Sequence, residues 1–175
     1  MKFSEFFKSK DTIQLDKKTL VTLRWLALVG QFATISIVYF VFEFKFHFYL
    51  CLVTILIGII TNIYLQFYFK ENQLNNFSST FFLFYDLFQL GVLLYLTGGV
   101  TNPFTILLII PATVSSTLLT LRSTINLSIL TILILLFLTN YYEPLPHSES
   151  LHFHVPDYYL YAIPFAIIIG LVFLI

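Results

Sequence analysis

The stretch Tyr95-Leu96-Thr97-Gly98-Gly99-Val100-Thr101-Asn102-Pro103-Phe104 holds the densest set of residues with chemical potential in this chain. Its two adjacent glycines can reach the left-handed backbone region and allow another group to approach the main chain closely. Asn102 is suited to cap a helix, and Pro103 suits that helix's first position. A purely structural account follows, with Gly98 or Gly99 closing one helix and Asn102 opening the next. The same geometry supports a second account. Free N–H groups at a helix start can donate to an acceptor oxygen, Thr101 and Asn102 add side-chain donors, and Tyr95 and Phe104 add aromatic faces. A flat amphipathic molecule with carbonyl oxygens and a long apolar tail suits such a set, and a quinone is one. Spacing alone leaves both accounts open.

Asp86 is the other residue whose setting demands an explanation, because it lies inside an apolar run one helical turn from Gln89. An ionised group within a bilayer costs a few kcal/mol (about 2.5–3.5 on insertion scales), so it is expected to face the bundle interior and find a partner. Arg24, Asn62 and Gln66 are the candidates at similar depth. Structural pairing and a part in signalling or proton movement both remain open. Gln31 and Asn62 also interrupt apolar runs and are expected to bond between helices. Pro111 is expected to bend its helix. His147, His152 and His154 share a segment with Glu143, Glu149 and Asp157. That composition could hold zinc or copper, but the spacing matches no strong metal signature and the segment reads better as a solvated loop. Cys51 has no intrachain partner for a disulfide and reads as a small buried apolar residue. The chain carries no phosphate-binding glycine loop followed by lysine and no nucleophile elbow, so no catalytic residues are assigned.

The elements that position these residues are apolar helices. Apolar types make up 58% of the chain and charged types only 10%, a balance that fits lipid rather than water as the main solvent. Six segments approach the roughly 20 apolar residues that a span needs. They are residues 25–42, 48–69, 81–97, 103–121, 123–142 and 158–175. Barrel strands are excluded because these runs lack alternating polarity. The expected fold is therefore all-α, a polytopic membrane bundle of six transmembrane helices. It divides into an amino-terminal cytoplasmic segment, 1–24, and a transmembrane domain, 25–175. Trp25 and Tyr141, Tyr142, Tyr158, Tyr159 and Tyr161 read as interfacial anchors.

Orientation follows from the basic residues. Lys2, Lys8, Lys10, Lys17, Lys18, Arg24, Lys70 and Arg122 fall on one side of this arrangement and only Lys45 on the other. That bias places the amino terminus in the cytoplasm and the segments near Phe44, Thr101 and His147 outside. The first apolar run lies behind a long charged lead and carries no cleavable-signal pattern, so the first helix is expected to be retained. The sixth helix ends at Ile175 without a polar tail, and the chain is expected to be a piece of a longer protein that continues into the cytoplasm. Zero net charge argues against a nucleic-acid partner.

With these residues in place, the chain resembles the membrane sensor region of the RegB/PrrB/ActS family of redox-responsive histidine kinases over nearly its whole length from Leu20. Gly98-Gly99-Val100-Thr101-Asn102-Pro103-Phe104 matches that family's G-G-x-x-N-P-F heptapeptide at every fixed position. Supporting matches are Leu23-Arg24-Trp25-Leu26-Ala27, Gly30-Gln31, Asn62, Asp86 with Gln89, and Leu94-Tyr95-Leu96-Thr97. The resemblance implies a homodimeric sensor in the bacterial inner membrane. It would read the quinone pool and control autophosphorylation and phosphotransfer to a response regulator. The heptapeptide implies ubiquinone at Gly98, Gly99, Asn102, Pro103 and Phe104, and the side-chain chemistry described above adds Thr101 and Tyr95 to the candidate quinone site. The family's phosphoacceptor histidine, redox-active cysteine and ATP-binding domain would all follow the sixth helix, and Cys51 is not that cysteine. ATP therefore enters only with a kinase core. Two other readings compete: a small transporter or channel lined by Asp86, Gln89 and Gln31, and a quinone-holding membrane subunit.

Overall fold

The computed structural model describes residues 15–70, 72–147 and 156–175. Six helical spans form the bundle: α1 (Lys17–Phe40), α2 (Phe48–Phe67), α3 (Asn76–Tyr95), a fourth span ending in α4 (Ile110–Leu118), α5 (Leu121–Asn140) and α6 (Tyr159–Leu174). The fold is the expected all-α polytopic bundle. Four of its helices are long and apolar enough to cross a bilayer, and the segments Pro103–Leu118 and Tyr159–Leu174 are shorter apolar helices.

The first helix begins at Lys17, eight residues before the expected start at Trp25. Its polar first turns are stabilised by contacts that composition does not reveal. Lys17 Nζ donates to the Phe69 carbonyl at 2.8 Å, which satisfies a chain end just past α2. Immediately before α1, β1 (Leu15–Asp16) pairs antiparallel with β2 (Gln73–Leu74), and Leu15 and Leu74 are buried between the elements they join. Asn75 then caps α3 by accepting from the Ser78 N–H at 2.7 Å. Arg24, expected ahead of the first span, is thus inside it and buried.

The fourth span changes helix type along its length. Pro103–Ile109 is 3₁₀ and only Ile110–Leu118 is α. Pro111 has no N–H to offer the Leu107 carbonyl four residues earlier, and Ile110 N–H serves that carbonyl in the 3₁₀ pattern instead. The proline expected to bend this helix therefore marks the place where one helix type gives way to the other.

Packing runs as two units joined at α3. α1 and α2 form a hairpin that rests on α3 through α2, while α3, α5, α4 and α6 build the rest of the bundle. Leu28, Ile35, Cys51, Ile55, Leu93 and Leu96 fill the first unit, and a leucine-rich cluster including Leu87, Leu108, Leu127, Leu135 and Leu171 fills the second. Large apolar side chains such as Leu26, Phe88, Phe137 and Phe173 stay exposed, as they must where lipid is the solvent. At the end holding Lys17 and Arg122, Asn76 Nδ2 donates to Thr120 Oγ1 and Ser123 Oγ at 2.8 and 2.9 Å, tying α3 to α5.

Candidate functional site: a lateral cavity between α1 and the fourth span

Because α1 reaches α3 chiefly through long polar side chains, a cavity of about 730 Å³ remains between α1 on one side and α3 with the fourth span on the other. Its walls are mostly leucine and other apolar side chains. The polar groups on it fall at three levels: Arg24 and Asp86, then Gln31 and Gln89 with Thr34 one turn further along α1, then Thr97, Thr101 and Asn102 beside Pro103 and Phe104. Leu145 and Pro146, from the segment after α5, complete the last level. A volume of this size and an apolar lining with a few polar groups are typical of sites for amphipathic small molecules.

At the first level Arg24 Nε donates to Asp86 Oδ1 at 2.8 Å, and Arg24 Nη2 donates to Thr61 Oγ1 at 2.9 Å. The guanidinium also lies 5.3 Å from the Phe82 ring centroid and 5.5 Å from that of Tyr85, within cation–π range. Of the three partners considered for Asp86, Arg24 is the one that reaches it. Asn62 instead donates to the Val21 carbonyl at 3.3 Å, and Gln66 accepts from Trp25 Nε1 at 3.2 Å. All three bonds join α1 to its neighbours. Thr61 carried no warning in the sequence, since a hydroxyl in an apolar helix ordinarily bonds back to its own backbone. At the second level Gln89 Nε2 donates to Gln31 Oε1 at 3.2 Å.

The turn at the third level is tightly self-bonded. Gly98 and Gly99 both have positive φ, 114° and 58°. Asn102 Nδ2 donates to the Thr97 carbonyl at 2.9 Å and to Thr97 Oγ1 at 2.8 Å, while Asn102 Oδ1 accepts from the Phe104 N–H at 2.9 Å. Thr105 N–H goes to the Asn102 carbonyl, and Thr105 Oγ1 donates to Gly99 O. Thr101 Oγ1 donates to Gly98 O at 2.6 Å. Three expectations about this turn need correction. The helix-start donors and the Asn102 amide are consumed within the turn and are not free for a ligand. The glycines do permit close approach, but to protein: a Cβ on Gly98 would collide with Leu145, and one on Gly99 would lie 2.6 Å from Tyr142 Cβ. Tyr95 does not line the cavity and packs against Phe137, with ring centroids 5.9 Å apart. What the turn offers the cavity is the wall made by Thr101, Asn102, Pro103 and Phe104.

His147 is exposed and pairs through its backbone with Lys45, joining two connecting segments at the turn's end of the bundle. His152, His154 and Glu149 lie outside the described residues. Among the described residues no three His, Cys, Asp or Glu side chains are grouped to hold a metal.

Nearly the whole length of the chain is matched in sequence among known proteins. The PilS-like transmembrane domain matches residues 19–174, from the first turn of α1 to the last residue of α6. The chain belongs to that family. It is also 35% identical over 158 residues to the sensor histidine kinase RegB of Cereibacter sphaeroides, an alignment covering 90% of this chain and 34% of that protein. The chain thus spans about a third of that relative's length. No solved structure matches it. Within the family, this chain is a RegB-like membrane sensor domain.

Proposed function

We propose that this chain is the quinone-sensing membrane module of a two-component sensor histidine kinase. The observation that carries the reading is the cavity that opens directly beneath the heptapeptide turn, with Pro103 and Phe104 in its wall. A quinone ring fits there by chemistry, since its oxygens need one or two polar partners and its tail needs a long apolar channel reachable from lipid. Each hydrogen bond supplies only about 0.5–1.5 kcal/mol net. Affinity is then modest and occupancy follows the membrane pool, ubiquinone by the resemblance, as a sensor requires. The cavity lies where α1 and the fourth span are not packed together, so filling or emptying it biases their separation. A ligand shifts such an equilibrium only by binding the two states unequally.

In this reading the end bearing Lys17, Lys18, Lys70 and Arg122 faces the cytoplasm across the bacterial inner membrane. The movement passes through α6 to a kinase core that acts as a homodimer and phosphorylates a response regulator. The test is photocrosslinking of a quinone analogue carrying a reactive tail to the purified chain in nanodiscs. Label is expected on α1 and on residues 103–111, with competition by unmodified quinone. Label confined to α2, α5 or α6 contradicts the reading.

A further inference from the structure

We propose that Gln31 and Gln89 hold the ring oxygen of the quinone, so that the head group is recognised inside the membrane and the glycine turn serves as its wall. This inference rests on the quinone reading above and assigns recognition to residues outside the heptapeptide.

A primary amide has two N–H donors and an oxygen that can accept twice. The single bond from Gln89 to Gln31 is the only one either side chain makes among the described residues. It leaves donor hydrogens and an accepting oxygen unmatched, whichever way the two amides are oriented, because any amide-to-amide bond uses one donor and one acceptor. Gln89 is only 5% exposed, and both side chains line the cavity. Buried polar groups are normally satisfied, so this surplus capacity facing an internal space points to a ligand that completes it.

Thr34, one turn beyond Gln31 on α1, also lines the cavity and can add a hydroxyl beside the two amides, whereas Thr97 Oγ1 is already bonded to the Leu93 carbonyl and to Asn102. The remaining polar groups are poorer candidates. Asn102 has its bonds within the turn, and the Thr101 hydroxyl proton is given to Gly98 O. Arg24 Nη1 lacks a partner but is fully enclosed, so a ligand in the cavity does not reach it without rearrangement.

The surplus also matches the chemistry of a quinone couple. A ring carbonyl accepts from a free amide N–H, and the corresponding phenolic O–H can in addition donate to a free amide oxygen, so either redox form is held. A simple acyl chain would leave both amides unmet. Gln89 lies six residues before Tyr95, the end of α3, which is about 9 Å along a helix. A ring bonded there lies between the amides and Pro103–Phe104.

Gly58 of α2 is the positioning residue. A Cβ at Gly58 would lie 2.6 Å from Gln89 Nε2 and 2.7 Å from Gln89 Oε1, so the missing side chain is what gives the Gln89 amide its place. Nothing in the apolar run around Gly58 advertises that role.

The test uses a short-tailed benzoquinone with isotope-labelled carbonyls, bound to the purified chain in nanodiscs. Affinity and the infrared carbonyl stretch are measured for wild type, Gln31→Leu, Gln31→Met, Gln89→Leu, Gly58→Ala and the lipid-facing control Val53→Leu. The expected result is at least a fivefold loss of affinity in the glutamine variants and a smaller loss in Gly58→Ala, with no change in the control. A hydrogen-bonded carbonyl band should appear in wild type and the control and be lost or weakened in the glutamine variants. Binding of an alkylbenzene lacking ring oxygens should be unchanged, which separates a lost ligand contact from a lost cavity. If wild type binds and the glutamine variants keep both affinity and band, this proposal is overturned while the quinone reading survives. If wild type does not bind, the quinone reading fails and takes the proposal with it. Should the leucine variants not fold, the wild-type band position decides: a free-carbonyl frequency overturns the assignment.

Discussion

Asp86 and Arg24 show how a single charged contact can organise an otherwise apolar bundle. Each ion alone inside the membrane is costly, and the pair persists because Arg24 also reaches Thr61 and two aromatic faces. Removing only one partner strands the other. Asp86→Leu is therefore expected to lower stability by about 3–5 kcal/mol. The double variant Arg24→Met with Asp86→Leu is expected to recover most of that loss, because it removes both charges. Thermal unfolding of the single and double variants in detergent measures the coupling. Additive losses in the double variant would show that the pair is not the contact that matters. The glycines make a second residue-scale case. Gly99 has φ 58° and no room for a Cβ beside Tyr142 and the Leu138 carbonyl, whereas a Cβ on Gly30 meets nothing within 4 Å. Gly99→Ala should cost more than the roughly 1–2 kcal/mol of left-handed strain alone. Gly30→Ala should be neutral or stabilising by about 0.5–1 kcal/mol. Comparable melting of the two variants would contradict the assigned contacts.

Among the elements, the fourth span is the one with an alternative conformation close at hand. A 3₁₀ run of seven residues is long for that helix type, which seldom exceeds three or four residues. Two local causes sustain it here: Pro111 denies the Leu107 carbonyl an α-type partner, and Asn102 fixes the first turn. Pro111→Ala returns the missing donor and is expected to convert the run toward α. Because the rise falls from about 2.0 to 1.5 Å per residue, spin labels at Phe104 and Thr117 in a Cys51→Ala background should approach by about 3 Å. An unchanged distance would mean that packing against α5 and α6, and not the proline, holds the 3₁₀ form. None of this was legible in the sequence, where Pro111 suggested only a bend. The choice between i+3 and i+4 bonding depends on tertiary neighbours that carry no local pattern. The early start of α1 escaped for a related reason, since Lys17 is stabilised by a carbonyl fifty-two residues away. The spans themselves were legible because lipid demands long apolar runs. The need of Asp86 for a partner was legible too, but the choice of Arg24 over Asn62 and Gln66 was not, because Arg24 stands before the apolar run that marks the first span.

At the scale of the molecule, two questions are separable: which way it lies in the membrane, and whether filling the cavity moves it. In the orientation proposed from the basic residues, Asn72 lies inside and His147 outside. In intact cells an impermeant thiol reagent is expected to label His147→Cys and spare Asn72→Cys in the Cys51→Ala background, and the reverse pattern would invert the orientation. The site was only partly legible at this scale. The heptapeptide turn borders the cavity, yet its polar atoms are turned inward on themselves. The space it encloses depends on α1, Leu145 and Pro146, which no short motif links to it. If quinone in this space changes the packing of α1 against the fourth span, a distance across the cavity reports the change. With labels on the exposed faces at Phe32 of α1 and Ile106 of the fourth span, pulsed electron–electron resonance in nanodiscs would follow that distance as quinone is titrated. The account predicts two distance populations whose ratio shifts with quinone and saturates with its binding. Saturable binding with an unaltered distribution would contradict it, and would describe a subunit that holds quinone without sensing it.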